Sequence, residues 1–182
     1  MSAGKAGRVA AKASANRRVS FTVNGESYQF SVGSETGEIS PAHTLAQTLR
    51  EALGLTGTKI SCDSGACGSC AVIMDGKAVL SCKVLTVECE GKTITTIEGL
   101  RDPKTGALDP LQQAFIDHNA FQCGYCTPGM IITAKAFLED NPNPTEEELK
   151  GALSGNFCRC ISHYQVVRAV MDLVKKEGND GQ

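Results

Sequence analysis

The sequence predicts an α+β protein with a strand-rich N-terminal part and a helical C-terminal part. In the first part, two runs of alternating apolar and polar residues are joined by Asn24-Gly25, a strong short-range signal for a β-hairpin. After a turn-rich stretch at residues 99–108, apolar residues recur at helical spacing behind successive capping signals. Eight of the nine cysteines form two groups of four, one group in each part.

The N-terminal part is predicted to contain several short strands and one helix. The helix begins at Thr44, whose hydroxyl can form a capping box with Gln47, and ends at Gly54. Asp75-Gly76 marks the turn of a second hairpin. The predicted strands cover residues 19–23, 26–32, 71–74, 78–82, 86–90 and 93–97.

The C-terminal part is predicted to contain four helices, which indicates a small four-helix bundle. Each helix has a capping residue or a proline at its start. The four starts are Asp109-Pro110, Thr127-Pro128, Thr145 with Glu148, and Ser162 with Gln165.

Composition places further limits on the protein. The first 18 residues hold five basic residues and no acid, without a hydrophobic period, which predicts a disordered basic tail. The rest of the chain has 13 basic and 20 acidic residues, which argues against nucleic acid as a partner. No apolar run approaches the ~18 residues of a membrane span. The predicted divisions are tail 1–18, strand-rich domain 19–98, linker 99–108, helical domain 109–177 and tail 178–182.

The first cysteine group has the spacing of a plant-type [2Fe–2S] site. Three of its members lie at gaps of four and two residues in one loop, and the fourth follows that loop. Gly65 and Gly68 suit such a loop because they accept positive φ and leave room around the cluster. Disulfides are disfavoured because the cysteine count is odd and no signal peptide is predicted. The same two observations indicate a reducing compartment, and we expect the cytoplasm. A zinc site usually takes two pairs of closely spaced cysteines, so three cysteines in one loop fit zinc poorly. The members are Cys62, Cys67, Cys70 and Cys82.

The second cysteine group consists of two pairs far apart in sequence. One pair precedes the second helix of the C-terminal part and the other precedes the fourth, so the two loops can meet at one end of a bundle. The spacing alone leaves zinc and iron–sulfur open. The presence of an iron–sulfur loop in the same chain favours a second [2Fe–2S] cluster. The members are Cys123, Cys126, Cys158 and Cys160; Cys89 is left over and is interpreted as a structural thiol.

Three motifs together resemble the iron–sulfur subunit of the molybdenum hydroxylases. These are residues 62–70 with Cys82, residues 122–130, and residues 155–160. The family comprises the xanthine dehydrogenase, aldehyde oxidoreductase and carbon monoxide dehydrogenase group. The resemblance covers residues 19–175 and implies a β-grasp, plant-type ferredoxin-like domain followed by a helical [2Fe–2S] domain.

The resemblance also implies the partners and the role of the chain. It implies a large subunit that carries a molybdopterin cofactor and a medium subunit that carries FAD. Gln122 and Cys160 occupy the positions that approach the pterin in this family. No nucleophile with its base and no carboxylate pair stands out, so the chain is predicted to relay electrons without transforming a substrate itself. The alternatives are a free-standing two-cluster ferredoxin and a zinc-binding adaptor.

Overall fold

The computed structural model describes residues 17–161 and 163–180. Most of the predicted N-terminal tail and the predicted cap at Ser162 lie outside these residues. In the described part, the strands are β1 Arg17–Val23, β2 Glu26–Val32, β3 Ala71–Met74, β4 Lys77–Leu80 and β5 Thr93–Thr95. The helices are α1 Leu45–Gln47, which continues as a π-helical turn over Thr48–Ala52, α2 Pro110–Asp117, α3 Thr127–Asp140, α4 Glu146–Leu153 and α5 His163–Asp180. The α+β class is confirmed. The strand β1 starts before the predicted residue 19, and α5 continues beyond the predicted domain end at residue 177.

The five strands of the described chain form one mixed sheet in the order β2-β1-β5-β3-β4. Both predicted hairpins are present, with β1 antiparallel to β2 and β3 antiparallel to β4. At their turns Asn24 and Gly25 have φ angles of 51° and 85°, and Asp75 and Gly76 have 49° and 82°. Two successive positive φ angles are what a type I′ hairpin turn requires.

The strand β3, which lies between β5 and the edge strand β4, is covered on both faces and joins the two parts of the chain. Val72 belongs to the apolar cluster that contains Leu45 and Leu49 of the first helical segment. Ala71 and Ile73 point to the opposite face and pack against Ile132 and Ala136 of α3. This explains why β3 is a continuous apolar run instead of an alternating one. The strand-rich and helical parts therefore share packed surface.

The four C-terminal helices surround an apolar cluster that includes Leu111, Phe115, Met130 and Leu153. The capping boxes predicted at Thr44 and Thr145 are confirmed, and so is the N-cap predicted at Asp109. Asp109 also forms a capping box with Gln112, which was not predicted from the sequence. The prediction that Thr127 caps α3 was wrong. Thr127 lies inside the first turn and Cys126 occupies the cap position, so this helix begins on a residue of the second cysteine group.

The strand predicted at residues 86–90 was also wrong. Thr86–Glu88 forms a 3₁₀ turn. The buried hydroxyl of Thr86 lies 2.7 Å from that of Thr48, and the backbone N–H of Cys89 donates to the Thr86 carbonyl. These contacts direct the segment toward the first helical segment and not toward a neighbouring strand. The end of the predicted strand 78–82 likewise becomes a 3₁₀ turn, Ser81–Lys83, which contains Cys82.

Asp109 links the start of α2 to α3 and gives a test of the helical core. Its carboxylate accepts from the Leu111 N–H at 2.8 Å and pairs with the Lys135 ammonium, also at 2.8 Å. We expect Asp109→Ala to destabilise the protein by about 1–2 kcal/mol, since it removes the cap and leaves Lys135 unpaired. Thermal melting followed by circular dichroism should show a fall of roughly 2–4 °C per kcal/mol. Lys135→Met keeps the cap and should melt above Asp109→Ala; equal melting temperatures would contradict the capping role.

Candidate metal centres

The first cysteine group lies around one exposed loop between the first helical segment and β3. Gly65 and Gly68 adopt φ angles of 80° and 73°, so both use the conformation that the sequence predicted for them. The Cys67 side chain is one of the groups that lower the pKa of the Cys62 thiol. The backbone N–H groups of Ser64 and Ala66 both point at the Cys62 sulfur, at 3.4 Å.

The hairpin of β3 and β4 brings the other two members of this group together. Cys70 immediately precedes β3 and Cys82 closely follows β4, and the strand register pairs Ala71 with Leu80. The Ser81 hydroxyl donates to the Cys70 carbonyl at 2.6 Å and fixes the end of the hairpin. As a result the Cys70 and Cys82 side chains are in contact, and both are buried.

The two pairs of this group differ in their electrostatic surroundings. Hydrogen bonds from Ser64, followed by the Ala66 N–H, lower the pKa of the exposed Cys62 thiol to about 6. Burial raises the pKa of Cys70 to about 11, with the neighbouring Cys82 as a further influence. The loop therefore favours the thiolate at Cys62, whereas the buried Cys70 requires a positive centre beside it to hold a thiolate.

The second cysteine group is assembled from the loop before α3 and the loop between α4 and α5. The sulfur atoms of Cys160 and Cys123 are 3.5 Å apart. Cys126 and Cys158 form a second contacting pair. The structure thus confirms that two sequence-distant pairs meet at the N-terminal ends of α3 and α5.

Backbone N–H groups also point at this second group. Cys158 receives the N–H of Ile161 at 3.2 Å and that of Cys160 at 3.4 Å. Burial acts to raise the pKa of Cys158, but these N–H groups outweigh it and the pKa is lowered. Burial raises the pKa of Cys126 to about 12, and contact with Cys158 adds to this effect.

The second group has an outer and an inner side. Cys123 and Cys160 are exposed, whereas Cys126 and Cys158 are partly buried. Gln122, which precedes Cys123, is exposed as well. The outer pair is therefore open to a neighbouring molecule, and the inner pair faces the protein.

The arrangement of the thiols fits [2Fe–2S] clusters. All nine cysteines are free thiols. Eight of them interact as four pairs, and in one of these the sulfur atoms of Cys123 and Cys160 are 3.5 Å apart. Two thiolates bind each iron of such a cluster, so two pairs per group match its needs. The N–H groups directed at Cys62 and Cys158 suit an anionic cluster. Cys89 lies apart, fully buried, and burial raises the pKa of its thiol to about 11, as expected of a structural thiol. The fold and the two groups define an iron–sulfur protein.

Comparisons with known proteins agree with this class. Residues 20–115 match the family described as "2Fe-2S iron-sulfur cluster binding domain", and residues 96–171 match "[2Fe-2S] binding domain". The chain is 47% identical over 144 residues to the nicotine 6-hydroxylase small subunit of Paenarthrobacter nicotinovorans, covering 79% of this chain and 86% of that protein. It is 45% identical over 139 residues to the nicotinate dehydrogenase small FeS subunit of Eubacterium barkeri, covering 76% and 87%.

A solved structure shows the same similarity. The crystal structure of quinoline 2-oxidoreductase from Pseudomonas putida 86 matches with a TM-score of 0.80 and 41% identity, over 91% of this chain and 97% of that one. The chain belongs to the iron–sulfur subunits of the molybdenum hydroxylase superfamily. In the part of the chain that the structure describes, no helix has both the length and the apolar content to cross a membrane.

Three residues that hold the two cysteine loops together lie inside the motifs 122–130 and 155–160, but none of them was assigned a role from the sequence. Gly129 of α3 lies directly against the first loop, so a Cβ atom there would be 2.3 Å from the Gly68 carbonyl oxygen. Asn156 and Tyr125 form hydrogen bonds to the same loop region. A glycine inside a helical pattern is a signal for close packing, and Gly129 gave that signal.

Proposed function

We propose that this chain relays electrons between a molybdopterin site on a large subunit and FAD, or another acceptor, on a further partner. The observation that carries the proposal is the direct contact between the two cysteine loops. The Phe157 N–H donates to the Cys67 carbonyl at 2.8 Å, so a residue bonded to Cys158 contacts a residue of the first group. Each [2Fe–2S] cluster, when bound, accepts and releases one electron.

We assign the ligands by the way in which the thiols interact in pairs. In the first site Cys62 and Cys67 share one iron, while Cys70 and Cys82 share the other. In the second site the pairs are Cys123 with Cys160 and Cys126 with Cys158. The pairwise contacts of the thiols support this assignment.

The backbone around each site stabilises its negative charge. N–H groups directed at a sulfur atom favour the anionic form and help to set the reduction potential. In the first site they reach the exposed Cys62, and in the second they reach Cys158, whose pair faces the protein. The two sites are therefore differently supported, and we expect them to differ in potential.

The large subunit is proposed to bind the exposed side of the second site. Gln122 and Cys160 are both exposed and are the residues proposed to approach the pterin. Phe121 and Tyr125, beside the same loop, are 38% and 45% exposed, which leaves apolar surface for a partner. Met130, at the end of this motif, is buried and belongs to the helical core.

Several finer features belong to the same proposal. Residues 19–98 are interpreted as the β-grasp ferredoxin-like domain, 99–108 as the linker and 109–177 as the four-helix [2Fe–2S] domain. The medium FAD subunit and a cytoplasmic location are proposed as well. Cysteines that are not joined in disulfides are typical of a reducing compartment, which supports that location.

Chemical analysis of the purified chain tests the proposal. We expect about four irons and about four acid-labile sulfides per chain, and two distinct [2Fe–2S] signals in the EPR spectrum of the reduced protein. About two irons would remove one site, and zinc without sulfide would favour the adaptor. Copurification with a molybdenum-bearing chain would distinguish a subunit of a complex from a free-standing ferredoxin. The family membership does not favour the free-standing ferredoxin.

A further inference from the structure

The two cysteine loops are joined by contacts that surround the direct hydrogen bond between Cys67 and Phe157. We call this set of residues the loop seam. It consists of Cys67 and Phe157, which form that bond, and of Gly68, Tyr125, Gly129 and Asn156. Gly68 lies between Gly129 on one side and Asn156 on the other. A Cβ atom on Gly68 would be 2.5 Å from the Asn156 amide nitrogen, so the two residues are in tight contact.

Asn156 is the buried polar residue of the seam. It is only 3% exposed, although an amide side chain is usually at the surface. Its amide nitrogen donates to the Gly68 carbonyl at 3.4 Å, and its backbone N–H donates to the Leu153 carbonyl at 2.9 Å at the end of α4. Asn156 therefore connects the first cysteine loop to the helical core, two residues before Cys158.

Tyr125 makes a second connection on the exposed side of the seam. This residue lies between Cys123 and Cys126, and its hydroxyl donates to the Ile60 carbonyl at 2.8 Å. Ile60 is two residues before Cys62. Each side chain thus joins a residue close to one cysteine group to a residue close to the other.

We propose that Asn156 and Tyr125 are positioning residues that fix the separation of the two clusters. The inference rests on the proposed function, because it requires a cluster in each group. Neither residue is a proposed ligand of a cluster. Asn156 acts through Gly68 on the first loop, and Tyr125 acts through Ile60, so loss of either contact lets the first loop move relative to Cys158.

The separation can be measured in the full chain loaded with both clusters. The magnetic interaction between two reduced clusters falls steeply with distance, so the splitting of their EPR signals reports the separation. We expect Asn156→Ala to weaken the splitting, Tyr125→Phe to weaken it less, and the double variant to weaken it most. Tyr125→Phe removes a single oxygen atom and retains the ring. The matched controls are Asn143→Ala, at an exposed turn, and Tyr28→Phe, whose hydroxyl binds Glu26 far from either group.

The iron content and the EPR splitting together distinguish failure of the positioning role from failure of the proposed function. Unchanged splitting in both Asn156→Ala and Tyr125→Phe, with iron content equal to wild type, would overturn the positioning role. If Asn156→Ala loses iron, the variant Asn156→Asp is used instead, because it keeps the shape of the side chain but replaces the donor. Full iron content with a weaker splitting would support the positioning role. Full iron content with wild-type splitting, or a loss of iron in this variant too, would overturn it. A wild-type chain with about two irons would instead refute the proposed function itself.

Discussion

Cys158→Ala should yield a chain that holds about two irons instead of about four and shows one [2Fe–2S] EPR signal instead of two. Cys158 contacts Cys126 and accepts two backbone N–H groups, so its removal takes one proposed ligand, which is also the best-supported thiolate, from the second site. The first site keeps all four of its thiols. Iron and sulfide analysis with EPR of the reduced chain measures both effects.

Two further variants make this test specific. Cys89→Ala also removes a buried thiol, but from outside both groups, and it should keep about four irons. Cys70→Ala should remove the signal that Cys158→Ala retains, because Cys70 belongs to the first site. If Cys158→Ala retains about four irons, or if Cys89→Ala loses iron, the division of the thiols into two groups is wrong.

Local sequence signals predicted much of this fold. The hairpin at Asn24-Gly25 forms because both residues accept the positive φ of a tight turn. The caps at Asp109 and Thr145 form because their side chains satisfy N–H groups that their own helices leave free. Such features depend on neighbours within a few residues, and a sequence displays those neighbours directly.

The errors arose where distant contacts override local preference. The alternation at residues 86–90 suits a strand, but a buried hydroxyl contact between Thr86 and Thr48 holds the segment in a turn. Similarly, the cysteine spacing predicted both groups but not the seam between them. Asn156 meets Gly68 across 88 residues of sequence, and no local pattern encodes that approach.

Gly129→Ala is expected to lower stability by about 1–3 kcal/mol, or roughly 2–12 °C in melting temperature. The added Cβ would lie 2.3 Å from the Gly68 carbonyl oxygen and 2.9 Å from the Ser69 Cα, both backbone atoms of the first cysteine loop. Neither can rotate away as a side chain can, so the loop must shift as a whole. Helix propensity alone predicts the opposite sign, a gain of about 1 kcal/mol. Calorimetry or circular dichroism measures the stability, and EPR reports the changed cluster interaction.

Gly151→Ala in α4 provides the matched control. This glycine is exposed, and a Cβ atom there would meet no heavy atom within 4 Å. We therefore expect only the propensity gain of about 1 kcal/mol, with an unchanged EPR splitting. The opposite signs of two identical substitutions would show that close packing against the cysteine loop, not helix preference, keeps residue 129 a glycine. If both variants gain stability, the contact between α3 and the loop is looser than the structure shows.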